Sequence, residues 1–327
     1  MNLAVLLRPG RYLAPCLAAL WLSAAALAPC AVAGESTAGK DAKSTPAPTE
    51  TAPEKPAFNL SGEFGVWQSY VGTADVRRNG RSTSLDEYNS RVNLVFTPRV
   101  PLGYLRLGAE WTRYSFGFGG NGGAPLPNTL QSVNLVLGLD TSPTEAILLR
   151  VEVQPGLYGT FFNHLSLGQV RVPFIIGGTY IYSPDIQIIA GISVDYDRQF
   201  PVIPGVGLRW KFAPNWVLNA TLPNPRLEYT PSRATTLYVG ADLRNDSFRT
   251  EDRPGTTRLD RRLNRALVTF SEVRVGGGLV QKLFSSVELA AEAGCQTLRQ
   301  FDFQRADIRY RTDGVAPYGQ LMLRGSF

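Results

Sequence analysis

The stretch Leu105-Arg106-Leu107-Gly108-Ala109-Glu110-Trp111 sets an apolar side chain at every odd position and Arg, Gly or Glu between them. Side chains on a strand alternate faces, so this segment predicts a β-strand with one apolar and one polar face. The same beat runs through Phe58, Leu60, Phe64, Val66 and through Tyr88, Val92, Leu94, Phe96. It returns in Val133 to Leu139, Ile147 to Val153, Ile188 to Val194 and Val206 to Phe212. It closes with Leu237 to Leu243, Val273 to Leu279 and Val287 to Ala293. No stretch of comparable length keeps a period of 3.6 residues, so the chain reads as all-β.

Alternation alone fits a soluble sandwich as well as a membrane barrel, and the connections separate the two. Short Pro-containing spacers (98–103, 140–145, 183–185 and 213–215) alternate with longer polar ones at 72–85, 117–128, 159–168 and 246–264. Short turns on one side and long loops on the other are the asymmetry of an outer-membrane barrel. Trp67, Tyr70, Trp111, Tyr114, Tyr180, Tyr182, Trp210, Phe212 and Trp216 fall toward strand ends, where aromatic girdles are expected at the two membrane interfaces. The chain ends Tyr318-Gly-Gln-Leu-Met-Leu-Arg-Gly-Ser-Phe327, with Leu321, Leu323 and Phe327 on one face. This end resembles the C-terminal assembly signal of outer-membrane barrels, departing from it at Gly325. The barrel-assembly machinery is then an expected partner.

The expectation is an antiparallel transmembrane β-barrel of 12–14 strands over residues 58–327. Thirteen alternating stretches are evident, whereas chain ends on one side of the membrane require an even number. The ambiguity sits at Pro223-Asn-Pro225: read as a turn it gives fourteen strands, and merging a weak pair elsewhere gives twelve.

Ahead of the barrel, Arg8 and Arg11 precede an apolar core from Cys16 to Ala28 and the small-residue site Ala31-Val32-Ala33. Residues 1–33 read as a secretory signal peptide cleaved after Ala33, too short to span a bilayer. Acylation at Cys30 is the rival reading, opposed by Pro29 immediately before it. Residues 34–57, with Pro46, Pro48, Pro53 and Pro56 among Thr, Ala, Glu and Lys, read as a disordered linker.

Composition narrows the function. Of 327 residues 44% are hydrophobic and 18% charged, with 32 Gly and 23 Pro. That excludes a disordered chain, and a mean hydropathy near zero excludes a bundle of membrane helices. One His and three Cys leave little acid-base or metal chemistry. Cleavage takes Cys16 and Cys30 away, and loss of two arginines and no acid lowers the net charge from +6 to +4. No nucleic-acid partner, metal or cofactor is expected.

If the apolar face meets lipid, the alternate positions point into the lumen. They carry Arg91, Arg106, Arg150, Arg209, Lys211, Arg244, Arg274 and Arg324 against Glu63, Glu110, Glu152, Asp195, Asp242, Glu272, Glu288 and Glu292. Two readings stay open: a narrow barrel filled by paired charges, and a water-filled pore whose wall selects polar solutes. The balance of signs points to a small, weakly selective pore or a nearly closed one.

Two further constellations remain. His164-Leu-Ser166-Leu-Gly168 resembles the His-x-Ser pair of outer-membrane lipases, but Leu167 stands where those enzymes carry Asn, and no orienting acid is evident. Arg258, Arg261 and Arg262 lie in a long outer loop, where guanidinium forks suit lipopolysaccharide phosphates. Pro204-Gly-Val-Gly-Leu-Arg-Trp-Lys-Phe-Ala-Pro-Asn-Trp216, followed by Pro225-Arg-Leu-Glu-Tyr229, is similar to an uncharacterised bacterial family of outer-membrane β-barrel domains, over roughly residues 170–303. The resemblance implies the barrel and its location and assigns no activity. The expected function is therefore a non-enzymatic, porin-like outer-membrane barrel. The alternatives are a closed barrel contacting lipopolysaccharide and a lipid hydrolase using His164 and Ser166.

Overall fold

The computed structural model describes residues 61–327 apart from 79–80, 120–123, 161, 163–166, 199 and 251–262. The first segments are β1 (Gly62–Arg78), β2 (Arg81–Phe96), β3 (Arg99–Val100), β4 (Gly103–Gly119) and β5 (Thr129–Thr144). Then come β6 (Ile147–Val153), β7 (Gly156–Gly159), β8 (Val170–Arg171), β9 (Phe174–Ser183), β10 (Ile186–Val194) and β11 (Val202–Ala213). The chain continues through β12 (Trp216–Asn219), β13 (Arg226–Tyr229), β14 (Thr235–Arg249), β15 (Leu267–Lys282), β16 (Val287–Phe303), β17 (Ile308–Thr312) and β18 (Ala316–Ser326). β3 prolongs β2, β7 prolongs β6, β8 leads into β9 and β17 into β18. The segments thus form fourteen staves, each antiparallel to the next, and β1 closes the barrel on β18 from Glu63↔Ser326 to Val71↔Tyr318. Pro223-Asn-Pro225 is the turn between β12 and β13, which settles the strand number at fourteen.

The outward phase carries the apolar set: Leu107, Leu135, Ile188, Val206, Leu237 and Leu321 are all exposed. The inward phase carries Arg106, Glu152, Glu272 and Arg274, all buried. A polar interior inside an apolar exterior inverts the soluble arrangement and is the pattern of a barrel solvated by lipid. Tyr70, Tyr180, Tyr182, Trp210, Phe212 and Trp216 stand exposed on this outer face.

Three expectations are corrected. Trp67 shares the phase of Glu63 and Ser69, and its ring lies over Gly65, so it faces the lumen rather than a membrane interface. Tyr114 shares the phase of Arg106 and Glu110 and is wholly buried inside the barrel. Residues 72–85 are not a long loop, because β1 and β2 stay paired out to Arg78↔Arg81. The two residues between them, Asn79-Gly80, are a pair favoured by the tightest hairpins.

At the end holding Gly62 and Phe327, Glu145–Ala146, Pro184–Asp185 and Pro214–Asn215 make short turns. Longer connections gather at the opposite, outer end. Two bulges change the phase of long strands: one in β1 between Val71 and Ala74, and one in β16 where Thr297 has no opposite number on β15. Beyond each bulge the inward side chains change from odd to even numbers, or the reverse. The wall is also uneven, since β12 and β13 hold four residues each while β14, β15 and β16 hold fifteen to seventeen.

Candidate functional site

Nearest the chain termini, Arg106 donates to Glu63 at 2.5 Å and to Glu152 at 3.1 Å, joining β4 to β1 and β6. Arg150 grips both oxygens of Asp140 at 2.7 and 2.8 Å in the fork geometry that guanidinium favours. Arg324 and Glu288 pair at 2.7 Å at the closure of the wall.

The middle layer is a connected network. Arg274 donates to Glu272, to Ser69 at 3.0 Å and to Glu87 at 3.0 Å on β2, four staves away. Arg299 stands 3.2 Å from the second Glu87 oxygen, and Arg244 donates to Asp242 at 2.8 Å and Asn89 at 3.1 Å. Beside it the Tyr238 and Tyr318 hydroxyls donate to Glu292 at 2.6 and 2.5 Å. Those two rings lie over Gly276 and Gly278, where any Cβ would strike them, so these glycines are spaces for tyrosines.

Above this layer lies a cavity of about 60 Å³, room for a few water molecules, lined by residues including Arg91, Glu110, Asn134, Arg171, Asp195 and Asp246. Arg91 donates to Thr112 at 3.3 Å and faces Glu110 at 3.8 Å. Arg171 donates to Asp195 and stacks over the Tyr158 ring at 4.6 Å.

The outer end is different in kind. Tyr114, Phe116, Phe248, Phe270, Phe301 and Phe303, with Leu85, Leu130, Leu263 and Ile308, form one buried apolar cluster inside the wall. Phe270 meets Tyr114 and Phe301 at 5.0 Å between ring centroids, and Phe116 meets Phe301 edge-on at 5.1 Å. These rings come from staves on opposite sides, so they fill the lumen and seal it from the outer loops.

Of the sixteen charged residues named for the lumen, Arg106, Glu152, Asp195, Glu272 and Arg274 are buried, and the structure does not join all sixteen. Arg209 and Lys211, in phase with Gln187, make no ion pair among the described residues. Asp195 pairs with Arg171, a residue the alternation did not single out. Leu321, Leu323 and Phe327 face outward, and the Phe327 backbone exchanges hydrogen bonds with Gly62 at 2.9 and 3.0 Å. At the atypical Gly325 a side chain would strike the Phe64 ring. His164, Ser166, Arg258, Arg261 and Arg262 lie outside the described residues. No cluster of His, Cys, Asp or Glu suited to a metal occurs among the described residues.

Sequence reasoning also missed Glu87, Asp246, Arg299 and the aromatic seal. Tyr114 and Phe116 were legible, since they continue the phase of Glu110 with no bulge between. Arg299, Phe301 and Phe303 were not, because the Thr297 bulge reverses the phase ahead of them.

No family model and no curated protein matches the chain. Among solved structures it is similar to an outer-membrane channel from Pseudomonas putida F1, with 12% identity over 85% of this chain and 99% of that one, TM-score 0.45. A mutant of the TodX monoaromatic hydrocarbon channel matches with 11% identity over 83% and 91%, TM-score 0.44. The KdgM porin with oligogalacturonate matches with 7% identity over 80% and 99%, TM-score 0.35. All three are outer-membrane barrels. For this chain, the reading rests on its own wall and lumen.

Proposed function

We propose that this protein is a non-enzymatic channel of the bacterial outer membrane for small solutes, weakly selective for charge and closed at its outer end in the form described. The supporting observation is the polar space at mid-barrel, lined by Arg91, Glu110, Arg171 and Asp195, charged groups of the kind that face solutes in a pore wall. Three arginines (Arg91, Arg171 and Arg198) are matched by three acids (Glu110, Asp195 and Asp246) in its lining, so neither sign of solute is favoured. Purified barrel in planar bilayers is expected to give small, infrequent openings with little preference between potassium and chloride. A bilayer silent at all voltages, with no solute flux in liposomes, overturns this reading.

A second reading, a closed structural barrel that contacts lipopolysaccharide through its outer loops, draws on the continuous apolar seal. The same bilayer experiment separates it, because a seal that never opens carries no current. The lipid-hydrolase reading keeps only its sequence motif, and release of fatty acid from lipid by purified barrel is its test.

A further inference from the structure

The wall is not joined equally well all the way round. β14 and β15 stay paired from Thr235↔Gln281 to Arg249↔Leu267, a ladder that runs the whole length of β14. At its other edge β14 pairs with β13 only from Leu237 to Gly240, and Pro225 and Pro223 then accept from Ala241 and Leu243. Beyond Leu243 the neighbour of β14 is a different segment. β7 stands beside it, although β9 to β13 lie between the two in the order of the wall.

That contact is slight. Among the described residues its backbone part is a single bridge, Arg249↔Gly159. Side chains supply the rest: Arg249 donates to the Gly168 carbonyl at 2.5 Å, and Arg171 of β8 donates to the Ser247 carbonyl. Arg171 also donates to Asp195, which Arg198 faces at 3.3 Å. β7 and β8 are set off from β6 and β9 by Pro155 and Pro173, which bring no N–H to the ladder. One bridge and a few side-chain bonds open more readily than an unbroken ladder.

The seam also divides the seal. Tyr158 of β7 and Phe248 of β14 both belong to the apolar cluster, and both border the mid-barrel cavity. Parting the two strands draws those rings away from each other and joins the cavity to the outer side. It leaves Phe270 and Phe301 packed together on β15 and β16. We propose that the β7–β14 seam is the gate of this channel, latched by Arg171 and Arg249. The proposal rests on the channel reading and names its moving part.

The test locks the seam. Neighbouring strands lie about 4.8 Å apart, within the span a disulfide accepts. Gly159→Cys with Arg249→Cys in the full-length protein is therefore linked by oxidation. Openings in planar bilayers are expected to fall about tenfold or more on oxidation and to return with dithiothreitol. Asn245→Cys with Ser271→Cys, opposite one another on β14 and β15, stitches an ordinary ladder and is expected to leave openings unchanged. Arg171→Gln, verified as folded by heat-modifiable migration, is expected to open about tenfold more often. Undiminished openings after the seam is linked, an equal loss in the control pair, or native behaviour of Arg171→Gln overturns the proposal. Hydrogen exchange of the native barrel in nanodiscs reads the seam without current, residues 156–159 and 170–171 exchanging faster than 268–275. Exchange there as slow as in β15 overturns the gate whatever the current. Fast exchange there with silent bilayers fails the channel reading alone, and currents that survive the link fail the gate alone.

Discussion

Arg274 on β15 donates to Glu87 on β2 across the lumen at 3.0 Å, and both side chains are withdrawn from solvent. The same Glu87 carboxylate faces Arg299 at 3.2 Å, so one acid ties together two guanidiniums from adjoining staves. Removing it strands Arg299 in a low-dielectric interior and leaves Arg274 with Glu272 as its one close acid. Glu87→Gln is therefore expected to destabilise the barrel by about 3–5 kcal/mol, read as an earlier urea unfolding midpoint in micelles. Replacing the whole group with well-packed apolar residues is expected to restore most of that stability, because the pairing offsets a desolvation cost that the apolar set never incurs. Equal stability of Glu87→Gln and the native barrel contradicts this account.

The seal makes a functional prediction. Phe270 is fully buried and touches Tyr114, Phe116 and Phe301. Phe270→Ala is expected to cost about 3–5 kcal/mol and leave a void inside the apolar cluster. Longer and larger openings in planar bilayers should accompany it, while Phe270→Leu, which retains most of the volume, should stay near the native conductance. Unchanged currents in the alanine variant show that the seal does not limit conduction.

Selectivity is expected to follow Arg106. It is the cation shared by Glu63 and Glu152, with Asp140 3.9 Å away. In Arg106→Gln the three acids face one another with Arg150 as their remaining partner. The reversal potential in a potassium chloride gradient should then shift toward cation preference, roughly severalfold in permeability ratio. A shift toward chloride refutes the assignment of this layer to the ion path.

Lipid exposure is tested by neighbours of opposite phase. Leu135 is 52% exposed on the outer face, while Asn134 is buried on the inner one. Leu135→Arg is expected to destabilise the membrane-inserted barrel by about 2–4 kcal/mol if it lies near the midplane. In a water-solvated barrel the same change is nearly neutral, so the folding free energy in vesicles decides between the two environments.

Much of this was legible from period-two alternation, because a barrel has one inside and one outside and every unbulged strand repeats that choice. Leu105 to Trp111 is such a segment. Legibility stopped where the phase broke: the extra residue at Thr297 turns Arg299 and Phe301 inward, and no composition signal marks it. It stopped as well at Trp67, whose amphipathic ring suits a membrane interface in the abstract but lies over Gly65 inside. It stopped also at the shortness of β12 and β13, since strand lengths follow from pairing partners far away in sequence. Pro223-Asn-Pro225 marked the break without fixing those lengths.

Closure of β1 on β18 joins Gly62 to Phe327, so the first strand of the barrel waits for the last residue before its outer edge is satisfied. Such contacts lie at the far end of the contact-order scale, where folding is slow. Until they form, both terminal strands present bare edges to any other chain nearby. The protein's exposure to aggregation is thus a matter of time rather than of stability.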